Sequence, residues 1–143
     1  MNLLRDIMTE NVATVSSNQT VQDAARLMSE YNVGSIPVVD QQERIIGIVT
    51  DRDITLRTTA QGLASTTPVS EIMSSHVVCG TPDMNVEEAA SLMAENQIRR
   101  LPIVEHGQIV GVIALGDIAT NEMFNDEAEE ALTNISVPSQ PEA

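Results

Sequence analysis

Lysine is absent from this 143-residue chain, and all seven of its basic residues are arginine. Without lysine there is no Schiff-base chemistry and no lysine general base. The chain also has no tryptophan, one tyrosine and one phenylalanine, so it lacks the aromatic platforms that stack single-stranded bases. Positive charge is scarce, because the formal net charge is −14, whereas nucleic acid requires a basic face. These absences argue against nucleic-acid binding.

Long apolar runs and paired cysteines are lacking too. No stretch approaches the roughly 18 apolar residues that span a bilayer, and Asp6 comes too early for a signal peptide. The single cysteine, Cys79, cannot close a disulfide within the chain, as is typical of proteins in a reducing compartment. We therefore expect a cytoplasmic protein that does not insert into membranes.

The sequence has few groups of residues that could bind a metal or act as a nucleophile. His76 and Cys79 resemble a fragment of a metal site, but two ligands are too few for zinc. On a strand, their side chains would also point to opposite faces. Cys79 has no neighbouring residue that would activate it as a nucleophile. The sequence therefore predicts no catalytic residue and no metal ligand, and we expect a protein that is not an enzyme.

The chain does contain an internal repeat. A shift of 65 residues aligns its two halves, and after a one-residue deletion in a polar turn the shift becomes 64. The aligned pairs include Met8 with Met73, Ala24 with Ala89, Pro37 with Pro102, Gly47 with Gly111, and Asp53 with Asp117. Because a deletion in an exposed turn costs little, the alignment indicates a duplication.

Each repeat predicts a strand, a helix, two further strands and a second helix, an α/β (α+β) fold. In the first repeat, Val12–Val15 predicts a short strand, and Thr20 begins a capping box with Asp23. Ser35–Val39 and Ile45–Val49 predict a buried hairpin. A second helix is predicted to begin at Thr50, and Asn85 with Glu88 is the second repeat's counterpart of the first box. We assign residues 1–60 to repeat 1, 61–70 to a connector, 71–121 to repeat 2, and 122–143 to an acidic, partly disordered tail.

The ordered motifs, found twice, resemble the CBS-domain family. Repeat 1 carries Asn32-Val-Gly-Ser-Ile-Pro37 and Gly47-Ile-Val-Thr-Asp-Arg-Asp53, and repeat 2 carries Ile98-Arg-Arg-Leu-Pro102 and Gly111-Val-Ile-Ala-Leu-Gly-Asp117. The resemblance covers roughly Ile7 to Thr120. It implies two tandem β-α-β-β-α repeats packed as a pseudo-twofold pair.

The resemblance also implies a function. It points to a regulatory or sensor module that binds an adenosine-containing ligand such as AMP, ADP, ATP, S-adenosylmethionine or NAD in clefts between the repeats. No cofactor is required, although Mg²⁺ could accompany the phosphates. A homodimer and a protein partner of unknown identity are implied as well. The alternative is a dimeric protein-interaction scaffold that works without a ligand.

The resemblance implies particular site residues. In repeat 1, the base would meet backbone groups of Gly34, Ser35, Ile36 and Pro37, the phosphate or ribose would meet Thr50, and the ribose diol would meet Asp53. The equivalent residues of repeat 2 are Arg99, Arg100, Leu101, Pro102 and Asp117. A carboxylate can accept charge-assisted hydrogen bonds from a diol, and the arginine fork suits phosphate.

The two predicted sites differ from each other. Ala114 replaces Thr50, and Arg99 with Arg100 replaces Gly34 with Ser35, so the sites should not be equivalent. Structural interpretations also stand beside the functional ones. Thr50 with Asp53 is an ordinary capping box, Gly34 could supply an unusual backbone angle, Pro37 could fix a strand entry, and the arginines could be solvated. Without a hydroxyl at Ala114, capping explains Asp117 less well.

Overall fold

The computed structural model describes residues 3–120, so the predicted tail at 122–143 lies outside the described residues. Inter-residue contacts divide the chain into two compact units. The repeat-1 unit comprises Asn11–Val77 and His106–Ile109. The repeat-2 unit comprises residues 3–10, 78–105 and 110–120 of the described chain. The compact units therefore do not follow the order of the two sequence repeats.

The repeat-1 unit is built on a three-stranded sheet with the order β1-β2-β3. Its elements are β1 Val15–Ser16, α2 Val21–Tyr31, β2 Ser35–Val39, β3 Ile45–Thr50, α3 Asp51–Ile54, a π-helical turn Thr55–Thr59 and a 3₁₀ turn Val69–Glu71. Strand β1 runs parallel to β2, and β2 runs antiparallel to β3. The hairpin is confirmed, with β3 one residue longer than predicted.

The first strand is the element that the sequence misplaced. We predicted a strand at Val12–Val15, whereas β1 is Val15–Ser16. Only two residues, Val15 and Ser16, find partners on β2, opposite Val38 and Val39. Residues 12–14, which we predicted as part of this strand, belong to no strand of the described chain.

Helix α2 begins where its capping chemistry predicts. The Thr20 side chain accepts a hydrogen bond from the Asp23 N–H, and the Asp23 carboxylate accepts one from the Thr20 N–H. Val21, Ala24 and Met28 are buried on one face of the helix. The helix ends at Asn32, whose φ of 53° lies in the left-handed region that asparagine tolerates better than most residues.

The repeat-2 unit contains the corresponding elements. They are α1 Leu4–Ile7, α4 Val86–Asn96, β4 Arg100–Glu105, β5 Gln108–Ala114 and α5 Leu115–Ala119, although the first two residues of β5 are counted with the repeat-1 unit. Strands β4 and β5 form a two-stranded sheet, joined by His106 and Gly107, both at positive φ. The equivalent of β1 is reduced to one parallel bridge between Gly80 and Ile103. A Cβ on Gly80 would lie 2.9 Å from a methyl carbon of Leu101, so a larger residue there would force the neighbouring core side chains to shift.

In each unit, the last strand, β3 or β5, pairs with a segment that is distant in sequence. The backbones of Thr9 and Val112 exchange two hydrogen bonds of 2.9 Å in the repeat-2 unit. Ser74 and Ile48 do the same in the repeat-1 unit, at 2.8 and 2.9 Å. The Ile-Met segments that the repeat alignment pairs, at residues 7–8 and 72–73, therefore precede equivalent backbone contacts.

Each unit has its own apolar core. One core joins Leu4 to α4, β4, β5 and α5, and the other joins β1, α2, β2 and β3 to Val69 and Ile72. The predicted mixed α/β class is confirmed by these small sheets with packed helices. Within residues 3–120, no helix has the length and apolar character needed to cross a membrane.

Candidate ligand-binding sites

The repeat-1 unit brings most of its predicted site residues together at one end of the β2–β3 hairpin. Ser35 lies directly opposite Thr50 in the antiparallel register. Thr50 is the N-cap of α3, and Asp53 lies in the first turn of that helix. The polar side chains of Ser35, Thr50 and Asp53 are thus placed at one strand-to-helix junction.

Thr50 and Asp53 form a complete capping box. The Thr50 Oγ1 accepts a hydrogen bond from the Asp53 N–H at 3.0 Å, and the Thr50 N–H donates to Asp53 Oδ2 at 2.9 Å. The other carboxylate oxygen, Oδ1, lies 3.8 Å from Arg57 Nε, and the Asp53 side chain is 16% exposed. Capping is therefore one role of this pair, and it leaves Oδ1 and the Thr50 hydroxyl proton uncommitted within the box.

Gly34 lies close to the Asp51 side chain and has no unusual backbone angle. Its carbonyl accepts a hydrogen bond from the Asp51 N–H at 2.9 Å, and its φ is not positive, so the backbone-angle interpretation is wrong. A Cβ on Gly34 would lie 3.2 Å from Asp51 Oδ2. The absence of a side chain leaves room for the Asp51 carboxylate beside the hairpin end.

Ile36 and Pro37 have buried side chains in the middle of the sheet. Ile36 is 1% exposed, and Pro37 is the third residue of β2, opposite Ile48. The interpretation that Pro37 fixes the strand entry is therefore wrong. In the repeat-2 unit, Leu101 and Pro102 are likewise buried in β4. Any contact between a ligand and these four residues would have to use their backbone groups.

The repeat-2 unit forms the equivalent junction with different side chains. The Leu115 N–H donates to the Arg99 carbonyl at 2.9 Å, as Asp51 does to Gly34. Arg99 is exposed, and Arg100 is partly buried at the start of β4. Among the described residues, no carboxylate lies within 4.0 Å of either guanidinium group.

Asp117 caps α5 although position 114 has no hydroxyl. Its Oδ2 accepts a hydrogen bond from the Ala114 N–H at 2.9 Å. The expectation that capping explains Asp117 less well was therefore wrong in its reason, because this half of the box uses only the backbone of residue 114. In repeat 1, the Thr50 hydroxyl accepts the other hydrogen bond of the box, from the Asp53 N–H. Ala114 has no hydroxyl, so its side chain cannot accept the corresponding bond from the Asp117 N–H.

Sequence reasoning missed Asp51 and its counterpart Leu115. Asp51 is exposed beside Gly34, whereas Leu115 is 4% exposed and belongs to the core. The signal was present in the repeat alignment, where the shift of 64 pairs an acid with an apolar residue next to the predicted site. The spatial link between Asp51 and Gly34 required the structure.

Neither metal ligation nor a reactive thiol emerges from the described residues. In residues 3–120, no three His, Cys, Asp or Glu side chains come together in a way that could hold a metal ion. Burial raises the pKa of the Cys79 thiol. A raised pKa makes the nucleophilic thiolate scarcer at neutral pH.

Comparison with known protein families finds a match for each repeat. The family model for the CBS domain matches residues 4–57 and again residues 69–122. The chain belongs to the CBS-domain family. Both copies of the matched domain include the strand-to-helix junction described above, with Thr50 and Asp53 in the first and Ala114 and Asp117 in the second.

Relatives of this CBS-domain chain are similar over nearly its whole length. It is 58% identical over 136 residues to the CBS domain-containing protein YhcV of Bacillus subtilis, covering 95% of this chain and 96% of YhcV. The AcuB structure of Vibrio cholerae is 30% identical, with a TM-score of 0.79 and coverage of 99% of both chains. The CBS domain pair of protein MJ0100, solved with 5′-methylthioadenosine and S-adenosylmethionine, is 27% identical, with a TM-score of 0.74 and coverage of 89% of this chain and 98% of that pair.

Proposed function

We propose that this protein is a regulatory module that binds adenosine-containing ligands at its two CBS junctions and acts in the cytoplasm without catalysing a reaction. AMP, ADP, ATP, S-adenosylmethionine and NAD are the candidate ligands, with Mg²⁺ accompanying the phosphorylated ones. The proposal assigns ribose recognition to Asp53 and Asp117. It assigns contacts with the base to backbone groups at 34–37 and 99–102.

The observation that carries the proposal is the partly committed carboxylate of Asp53. One oxygen is held by the Thr50 N–H, and the side chain remains 16% exposed. A carboxylate fixed in this way accepts charge-assisted hydrogen bonds without first losing side-chain freedom. Asp117 is held by the Ala114 N–H in the same manner. Both units thus offer a preorganised acceptor suited to a diol.

The comparisons support the same class of ligand. The related pair from MJ0100 binds 5′-methylthioadenosine and S-adenosylmethionine, and both contain an adenosine group. Proteins that consist of CBS domains alone are generally regulatory rather than catalytic. We infer that a ligand would act by favouring one conformation, which requires different affinities for two conformations, and that a protein partner would respond to that change.

Thermal unfolding with added adenine compounds tests the proposal. A ligand at 100 times its dissociation constant should add about 2.7 kcal/mol, which for a chain of this length raises the melting temperature by about 5–10 °C. Asp53→Ala and Asp117→Ala should each remove part of the ligand-induced rise. The measurement is the melting temperature of each variant with and without ligand.

The control is the effect of each variant without ligand. If Asp53 serves only as a cap, Asp53→Ala should lower the stability by about 1 kcal/mol and leave the ligand-induced rise intact. That result for both variants would reject the site and favour the ligand-independent scaffold. No rise in the wild type with any adenine compound would reject the function itself.

We also propose that the protein is a homodimer. Leu27 on α2 and Leu92 on α4 are only partly buried against the cores of their units. A twofold-symmetric dimer would cover such apolar helix surface. Light scattering at micromolar concentration should give twice the mass of one chain, and a mass of one chain would refute the dimer.

A further inference from the structure

The two junctions carry different charged side chains. In the repeat-1 unit, Asp51 Oδ1 accepts a hydrogen bond from the Arg52 N–H at 2.8 Å, and Oδ2 lies beside Gly34. In the repeat-2 unit, the position of Asp51 is taken by the buried Leu115. The fixed carboxylate therefore has no counterpart there.

The arginines near the two junctions are also distributed unequally. Arg57 lies 3.8 Å from Asp53, whereas no arginine side chain of the described residues lies within 4.0 Å of the Asp51 carboxylate. In the repeat-2 unit, Arg99 and Arg100 stand where the repeat-1 unit has Gly34 and Ser35. No carboxylate of the described chain lies within 4.0 Å of these two arginines. Within the described chain, the repeat-1 junction thus keeps the carboxylate of Asp51 without an ion-pair partner, whereas the repeat-2 junction has two arginines and an excess of positive charge.

We propose that the two sites sort adenosine compounds by the charge of the 5′ substituent. The repeat-2 site, with Asp117 as ribose acceptor, takes a 5′-phosphorylated compound. The repeat-1 site, with Asp53 as ribose acceptor, takes one that has no negative charge at that position. This assignment rests on the proposed function, because it requires that both aspartates hold a ribose.

The short spacing between the two acids makes the selection effective. The Cα atoms of Asp51 and Asp53 are two residues apart, which is at most about 7 Å along the chain. The 5′ carbon belongs to the same sugar whose diol Asp53 would hold, so a phosphate there lies near the Asp51 carboxylate. Two negative charges at such a separation repel each other. At the repeat-2 site, a phosphate meets guanidinium groups, which suit its geometry.

Adenosine and AMP are the matched probes, because they differ only in the phosphate. Isothermal titration of the full chain measures both, with Asp53→Asn and Asp117→Asn assigning the sites. Asparagine keeps an oxygen that can accept the capping hydrogen bond, so these variants should fold. We expect AMP binding to be lost in Asp117→Asn and kept in Asp53→Asn. Adenosine should bind more tightly at the repeat-1 site, so its tighter binding should be lost in Asp53→Asn and kept in Asp117→Asn.

Asp51→Asn is the decisive variant. Combined with Asp117→Asn, it should raise the affinity of the repeat-1 site for AMP about tenfold and leave that for adenosine unchanged. Glu30→Gln, which removes the same charge from the exposed end of α2, is the control and should change neither. Arg99→Gln with Arg100→Gln should weaken AMP about tenfold and adenosine little.

The opposing results are distinct. Equal changes in Asp51→Asn and Glu30→Gln would mean that only net charge matters, which overturns the sorting. Equal dependence of AMP on Asp53 and Asp117 would overturn it as well. If the Asn variants of the ribose acceptors fail to fold, the ratio of AMP to adenosine affinity in Asp51→Asn alone still decides. If neither probe binds the wild type, the sorting is overturned, and thermal unfolding with the other adenine compounds decides whether the proposed function fails as well.

Discussion

Gly47 and Met73 are packed so closely that a Cβ on Gly47 would lie 2.6 Å from the Met73 sulfur and 2.9 Å from the Ser74 carbonyl oxygen. The repeat-2 unit contains the same arrangement, with Gly111 against Met8. In each unit, the glycine lets its strand, β3 or β5, approach the segment that pairs with it. Gly47→Ala and Gly111→Ala should therefore lower the free energy of unfolding by about 1–3 kcal/mol.

Gly116→Ala is the matched control for these substitutions. A Cβ on Gly116 would meet no atom of the described residues within 4 Å, and alanine is the better helix former by up to about 1 kcal/mol. Chemical denaturation should show Gly116→Ala neutral or stabilised while the other two variants lose stability. A Gly47→Ala protein as stable as the wild type would contradict the close packing.

The capping box of α2 predicts a pH dependence. The Thr20 N–H and the Thr20 hydroxyl hold the pKa of Asp23 below its ordinary value of 3.8. Since the folded pKa is the lower one, this contribution to stability is present above the unfolded pKa and is lost as the pH falls through the folded pKa. When unfolding is measured from neutral to strongly acidic pH, Asp23→Asn should lose less stability on acidification than the wild type does. Glu30→Gln, at the other end of the helix, should keep the wild-type slope, and an unchanged slope in Asp23→Asn would refute the assignment.

Thr58 lies in the π-helical turn, and its buried hydroxyl has no hydrogen-bond partner within residues 3–120. The residue is 3% exposed, and a buried unpaired polar group costs about 1–3 kcal/mol. Thr58→Val keeps the branched shape and removes the hydroxyl, so it should raise the free energy of unfolding by about that amount. Thr55→Val provides the contrast, because the Thr55 hydroxyl is exposed and donates to the Asp51 carbonyl at 3.0 Å. A loss of stability in Thr58→Val would show that the hydroxyl has an unrecognised partner.

Local chemistry made part of this fold predictable. The starts of α2 and α4 follow from side chains three residues apart, Thr20 with Asp23 and Asn85 with Glu88. The bounds of β2 follow from a short apolar run. Such signals need no knowledge of the rest of the chain, because each capping bond closes within one turn of helix.

Contacts between distant segments were not predictable in the same way. The pairing of Thr9 with Val112 and of Ser74 with Ile48 leaves no trace in hydrophobic periodicity. The repeat alignment placed residues 7–8 and 72–73 at the start of their own repeats, whereas their neighbours in space lie on the other repeat's third strand. The candidate site shows the same limit. Thr50 and Asp53 were evident from their spacing, but Asp51 became relevant only when it was found beside Gly34.

The missing hydroxyl at position 114 predicts opposite effects for two substitutions, one in each repeat. Ala114 has φ −103° and ψ 151°, close to the −114° and 163° of Thr50, so a threonine there would be oriented as Thr50 is. Its hydroxyl would accept a hydrogen bond from the Asp117 N–H and complete the box. Ala114→Thr should raise the free energy of unfolding by about 1 kcal/mol, and Thr50→Ala should lower it by a similar amount.

Valine separates the hydroxyl from the shape of the side chain. Ala114→Val adds the same branching without an acceptor, so it should give no gain, and Thr50→Val should be as destabilised as Thr50→Ala. Denaturant unfolding of the four variants measures the difference directly. Equal stability of Ala114→Thr and Ala114→Val would mean that packing, not capping, governs this junction. A gain confined to the threonine variant would show that Asp117 retains half of a box whose other half the second repeat lacks.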